Sequence, residues 1–214
     1  MRKFSIILPT FNRPHLINRA ISAVIDQDYD NWELIIQNGG DEMKDIWSDD
    51  RIRLYNEKDS GITDAMNRGM ARAIGDIFCW TNDDDEMNPG TLTFIAENLT
   101  EKWGYGYINM TDGVQGYKWG RPEEGLTLKD LADGNFVPQP AVFWTREAYE
   151  AVGPMDEEQD LTSDYEYWMR LWKYSQPQLF DREMATYHLH ADQITQKDQA
   201  NQMEQARLTS LKYK

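Results

Sequence analysis

Three consecutive carboxylates, Asp83, Asp84 and Asp85, follow a short apolar run that ends at Trp80. Like charges this close disfavour one another's ionisation, so such a cluster at a strand end needs solvent or a cation to offset it. Magnesium or manganese suits oxygen ligands and keeps waters or substrate phosphates in place of a full protein cage. The residues alone leave two readings, a metal site or an acidic solvated turn. Asn88 ahead of Pro89 is expected to cap the next helix, which leaves the aspartates without that task. Asp164 poses a similar choice. Ser163 and Glu166 match a capping box, so Asp164 is either a favourable first-turn charge or a carboxylate available for chemistry. His188 and His190 flank Leu189 and project from one side of an extended segment, as ligands or as polar surface. Cys79 reads as a buried small hydrophobe. Among eight tryptophans, Trp80, Trp119 and Trp144 could stack on sugar rings, although core burial is favoured for each.

The elements that must position these residues follow from hydrophobic periodicity. Short apolar runs alternate with helix-period segments in the first half, the pattern of parallel strands joined by crossover helices. Strands are expected at residues 4–8, 33–37, 52–55 and 76–80. Helices are expected after Pro14, over residues 41–47, and over 62–74 with Gly75 as the stop. The rear half is less regular: a helix from Pro89 to about Leu99, twisted strands or a hairpin between Trp103 and Gly120, a strand at 141–145, a helix from Ser163, and a polar helix over 196–214. Open parallel sheets bind ligands at the carboxyl ends of their strands, where Thr10, Phe11, Asn38 and the three aspartates fall.

The chain has 214 residues, 40% hydrophobic and 28% charged, which indicates a globular α/β protein rather than a disordered or fibrous one. With 22 Lys and Arg against 37 Asp and Glu, its formal charge is −15, a field that repels nucleic acid and anionic lipid. One cysteine forms no internal disulfide, and no signal-type or spanning apolar run is found; the expectation is a cytoplasmic protein. A single domain is read over 1–214, with a nucleotide-binding half to about residue 100, an acceptor half over about 101–195, and the terminal helix.

Several ordered segments resemble the family-2 inverting glycosyltransferases with the GT-A fold. They are Ser5-Ile-Ile-Leu-Pro-Thr-Phe-Asn-Arg13, Gln27-Asp-Tyr-Asp-Asn-Trp-Glu-Leu-Ile-Ile36, Gly61-Ile-Thr-Asp-Ala-Met-Asn-Arg-Gly69 and Asn82-Asp-Asp-Asp85. Further on come Pro138-Gln-Pro-Ala-Val-Phe143, Val152-Gly-Pro-Met-Asp156, Asp164-Tyr-Glu-Tyr-Trp-Met-Arg170 and His190-Ala-Asp-Gln-Ile-Thr195. The resemblance implies a Rossmann-like, mostly parallel central sheet flanked by helices, with a smaller acceptor-side region. It also implies sugar transfer, with inversion, from a nucleotide-diphosphate donor to a hydroxyl of a glycan or glycolipid. UDP is the favoured donor nucleotide and Mn2+ or Mg2+ the cofactor. By the same resemblance, Pro9, Thr10 and Phe11 shape the base pocket, Asn38 meets the base edge and Asp64 lies beside the nucleoside. Asp83 and Asp84 belong to the Asp-x-Asp motif, Asp84 approaching the ribose; Asp85 holds the metal, His190 reaches metal or diphosphate, and Asp164 deprotonates the acceptor.

Two positions depart from the family pattern. Asn38 stands where many relatives carry aspartate, and Met66 where some place an arginine near the phosphates. Both keep open a non-catalytic nucleotide- or glycan-binding module. A sugar-1-phosphate nucleotidyltransferase is the other alternative, although the Pro9–Arg13 loop lacks that class's glycine-rich character. A chain that stops soon after the closing motif points to one or a few sugar additions, with peripheral membrane association compatible and no spanning tail.

Overall fold

The computed structural model describes residues 1–44, 47, 49–191, 193 and 198–214. Strand β1 (Phe4–Thr10) is buried throughout, and its side chains divide between two cores. Phe4, Ile6 and Leu8 face helix α1 (Ile17–Ile25), whereas Ile7 faces helix α2 (Ile62–Arg72), as the two-residue period of a strand covered on both faces requires. Helix α1 buries Ile17, Ala20, Ile21 and Val24, at i, i+3, i+4 and i+7.

Strands β2 (Trp32–Asn38), β3 (Ile52–Asn56) and β4 (Ile77–Trp80) join β1 in a parallel set, and the described residues contain five more strands. These are β5 (Asp85–Met87), β6 (Trp103–Thr111), β7 (Gly116–Trp119), β8 (Val142–Thr145) and β9 (Gln178–His188). The sheet order is β3-β2-β1-β4-β8-β6-β9-β5, with β7 paired to β6. The front is parallel and the rear mixed: β4–β8, β6–β8, β6–β7 and β5–β9 are antiparallel, while β6–β9 is parallel. Helices α3 (Thr91–Asn98), α4 (Leu128–Asp133), α5 (Arg146–Val152), α6 (Ser163–Tyr174) and α7 (Gln199–Leu211) complete the chain. Trp103, Trp144, Trp168 and Trp172 pack together in the second core, with Trp80 beside them. Trp119 is partly buried against the first core.

Four local expectations are corrected. Residues 41–44 are not helical, because the Asn56 side chain holds Met43 open by accepting from its N–H and donating to its carbonyl, both at 2.9 Å. The rest of that expected helix lies partly outside the described residues. Helix α2 stops at Arg72, and Gly75 instead donates its N–H to Ser5 Oγ at 2.8 Å. Helix α3 starts at Thr91 behind a left-handed Gly90, so Asn88 is not its cap. Asn88 is tied to β9 through Met184, Glu183 and Thr186. The expected Ser163–Glu166 capping box does not form: α6 is preceded by Thr162, and Glu166 turns to Arg170 and Tyr213.

Candidate active site

The parallel register places Pro9 opposite Gln37 and Thr10 opposite Asn38, so the carboxyl ends of β1 and β2 form one ledge. The loops leaving that ledge are locked to each other. Asp41 N–H donates to Asn12 Oδ1 at 2.7 Å, and Gly40 lies so close that an added Cβ would stand 2.6 Å from Asn12 N. Asn38 is buried and its amide is spent on the loop. Nδ2 donates to Asp41 O and Asn56 Oδ1, both at 2.7 Å, and Oδ1 accepts Gly40 N–H at 3.0 Å. The amide nitrogen has no hydrogen left for a base. Phe11 stands 61% exposed above the ledge.

β4 delivers the aspartate run to the neighbouring strand end, and each carboxyl has different surroundings. Asp83 accepts Thr10 Oγ1–H at 2.6 Å and pairs with Arg13 at 3.3 Å; burial raises its pKa, against the lowering effect of Thr10. Asp84 is held by Arg13 at 3.1 Å and by His190 Nε2 at 3.0 Å. Asp85 opens β5, whose antiparallel pairing with β9 is what carries His188 and His190 to the run. His188 Nε2 meets Glu86 at 2.6 Å, and Arg19 meets the same carboxylate at 3.0 Å.

Asp85 has no exposed surface. Asn82 Nδ2 donates to its Oδ2 at 3.0 Å, whereas Oδ1 has no hydrogen-bond partner among the described residues. Burial first, and Asp84 second, push its carboxyl well above the ordinary carboxylate range. A buried polar atom without a partner is rare and costly, and a cation is one of the few groups that resolve it. The donor chemistry therefore fits a hard divalent ion. Among the described residues no three His, Cys, Asp or Glu side chains form a ready cage for a metal ion.

Asp64 and Asp164 lie outside this network. Asp64, in the first turn of α2, forms a two-point pair with Arg68 at 2.7 and 2.8 Å and accepts Ser60 N–H, so its pKa is lowered, chiefly by Arg68. Asp164, half-buried in the first turn of α6, accepts Tyr165 N–H at 2.7 Å, and burial pushes its pKa to about 6. Met66 is fully buried on the inner face of α2, so it does not occupy a phosphate-facing position.

Arg13, Arg19, Asn82 and Gln139 were not legible as site residues. Gln139 accepts Asn82 Nδ2–H and donates to Trp80 O, both at 2.8 Å, which connects the rear half of the chain to the aspartate run. Only Arg13 carried a signal, as a cation three residues beyond Thr10 in a strongly acidic chain.

The family model described as "Glycosyl transferase family 2" matches residues 5–143. The chain is similar to the GalNAc(5)-diNAcBac-PP-undecaprenol beta-1,3-glucosyltransferase of Campylobacter jejuni, 32% identical over 117 residues, covering 50% of this chain and 37% of that protein. It is 27% identical over 194 residues to a PGL/p-HBAD biosynthesis glycosyltransferase of Mycobacterium bovis, covering 85% of this chain and 73% of the relative. In three dimensions it is similar to S. aureus TarS 1-349 in complex with UDP-GlcNAc, with TM-score 0.71, 16% identity, and coverage of 98% and 66% of the two chains. Mannosyltransferase PcManGT from Pyrobaculum calidifontis, in complex with GDP-Man and Mn2+, gives TM-score 0.70 at 14% identity, covering 99% and 64%. The chain thus spans about two thirds of these solved chains and little more than a third of the Campylobacter relative. The shared fold is GT-A. No helix among the described residues is long and apolar enough to cross a membrane.

Proposed function

Since this chain belongs to glycosyl transferase family 2, we propose that it transfers a sugar from a nucleotide-diphosphate donor to a hydroxyl of a glycan or glycolipid, with inversion and with a divalent cation. The observation that carries the reading is Asp85: a fully buried carboxyl with one oxygen held by Asn82 and the other without a partner among the described residues, beside the strand ends that a nucleotide would occupy. Asp85 and His190 are the residues that would hold Mn2+ or Mg2+. A bound dication would offset the charge that collects on the leaving diphosphate, which matters on a chain of net charge −15.

The remaining roles fall to the chain itself. Pro9, Thr10 and Asn38 frame the nucleoside at the ends of β1 and β2, with Phe11 above as a stacking face and Asp64 orienting Arg68 nearby. Asp83 and Asp84, held by Thr10, Arg13 and His190, form the polar wall towards the ribose. Asp164 takes the proton from the acceptor hydroxyl as that oxygen attacks the anomeric carbon and the carbon–oxygen bond to the diphosphate breaks. A carboxylate titrating at about 6 is ionised near neutrality yet basic enough to accept a proton in the transition state.

UDP remains the favoured donor nucleotide, supported by the UDP-GlcNAc held by TarS 1-349, while PcManGT holds GDP-Man. Met66 is buried, so in this chain that position faces the core. The test is release of nucleoside diphosphate from UDP- and GDP-sugars with and without Mn2+, repeated with Asp85→Ala. Metal-dependent release lost in the variant supports the proposal, and undiminished release overturns it.

A further inference from the structure

Helix α7 docks in an unusual way. Its exposed residues include Met203, Leu208 and Leu211 and its buried ones are Thr209 and Ser210; Ala206 packs partly buried against the second core, and polar contacts carry much of the rest of its attachment. Ser210 Oγ donates to Ala132 O of α4 at 2.6 Å, and the remaining contacts reach the segment leading into α6 and the first turn of α6 itself. Gln205 Oε1 accepts Leu161 N–H at 3.1 Å, and Gln202 Nε2 donates to Leu161 O at 3.2 Å, so two side chains bracket one peptide residue three positions before Asp164. Thr209 Oγ1 donates to Gln159 Oε1 at 2.7 Å, and Tyr213 OH donates to Glu166 Oε1 at 2.8 Å, beyond Asp164.

The same segment is held from the opposite half of the molecule. Asp160 Oδ1 accepts Thr63 N–H at 3.1 Å, occupying a donor at the N-terminus of α2, whose own cap residue, Gly61, has no side chain to do so. Gly61 has φ +149°, and an added Cβ would stand 2.7 Å from Asp160 Oδ2, so only glycine admits the carboxylate there. Residues 159–161 are therefore gripped on one side by the terminal helix and on the other by the helix that carries Asp64 and Arg68.

We propose that this grip is a positioning device for the acceptor base: Gln202 and Gln205 of α7 and Asp160 fix the first turn of α6, and with it Asp164, relative to the nucleotide half. The inference rests on the reading of Asp164 as the base. None of the three residues touches the reacting atoms; they act through the backbone of Leu161 and the start of α2. Among the described residues no ion pair holds the half-buried Asp164 carboxyl, which accepts backbone N–H groups, so its surroundings depend on where α6 begins.

The test is the double variant Gln202→Ala/Gln205→Ala, in which two half-buried surface side chains are shortened and no core volume is lost; Gln205→Ala alone serves if the double variant does not fold. Turnover is read as release of UDP or GDP from UDP-GlcNAc or GDP-mannose, and the titration of Asp164 by carbon-detected NMR, assigned by its absence in Asp164→Asn. The expected result is an approximately tenfold fall in kcat with donor KM within twofold. The Asp164 midpoint should move from about 6 towards the ordinary carboxylate range as the turn loosens and hydrates. A folded variant with unchanged kcat and an unchanged midpoint, whatever its melting temperature, overturns the proposal. Normal turnover in Asp164→Asn removes the base reading, whereas the Asp164 midpoint in the glutamine variants reports on the grip alone.

Discussion

Asn82 donates one amide hydrogen to Asp85 Oδ2 at 3.0 Å and the other to Gln139 Oε1 at 2.8 Å, while Asp85 Oδ1 has no hydrogen-bond partner among the described residues. The rear half of the chain thereby meets the residue that bonds to the carboxylate proposed to hold the cation. Asp85→Asn should lower metal-dependent turnover at least a hundredfold, the scale expected when stabilisation of a developing charge is lost. Thermal melts supply an independent check: Mn2+ with UDP should raise the wild-type midpoint, as ligand linkage requires, and leave the variant where it was. An equal shift in both proteins would contradict the assignment.

Asp164 sets a pH dependence whose sign is determined by its raised pKa of about 6. As the proposed base it must be ionised, so kcat/KM should fall about tenfold per pH unit below that value and level off above it. Stability runs the other way. The folded state favours the protonated carboxyl, so the stability this contributes is complete below about pH 4 and is lost as pH rises through about 6. Asp164→Asn should therefore be inactive yet melt higher than wild type at pH 8, with the two converging near pH 4. Urea denaturation at both pH values measures the difference.

Asn38→Asp restores the residue that many relatives carry, and it should not improve nucleotide binding here. Asn38 Nδ2 donates to two acceptors, Asp41 O and Asn56 Oδ1, and a carboxylate would face both with no hydrogen to give. The expected cost is about 1–3 kcal/mol of stability. Equal stability, with tighter UDP binding by calorimetry, would show that the loop re-forms around the new side chain.

Arg13→Ala removes the one guanidinium that bonds to both Asp83 and Asp84. Both carboxyls are nearly buried, so loss of these charged hydrogen bonds should destabilise by about 1–3 kcal/mol. Because a dication offsets the same charge, Mn2+ should recover more of the melting temperature in the variant than it adds to wild type. Metal-independent loss of the whole amount would place the role of Arg13 in packing alone.

Local chemistry made the front of the molecule readable. The runs read as strands over 4–8, 33–37 and 76–80 become the parallel strands β1, β2 and β4, the first two extending to Thr10 and Asn38, and period-3.6 faces become α1 and α2. Capping was read less well. Asn88 and Ser163 both carry the right side chain for an N-cap, but a partner across the sheet claims Asn88, and Arg170 and Tyr213 claim the glutamate that would complete the box at Ser163. Such competition between near and distant hydrogen-bond partners is invisible to spacing.

The order of residues along the chain was sufficient to mark the aspartate run, the Pro9–Phe11 loop and Asp164 as candidates, because strand ends, helix starts and like-charge repulsion are consequences of near neighbours. The surroundings of each candidate were decided by folding. Only the pairing of β5 with β9 sets His190 against Asp84, only folding brings Gln139 to the Asn82 amide that bonds to Asp85, and only the packing of α2 turns Met66 inward. Those outcomes depend on burial and on contacts between residues dozens of positions apart, and desolvation, which distinguishes three adjacent carboxyls, exists only once the surrounding chain has closed over them.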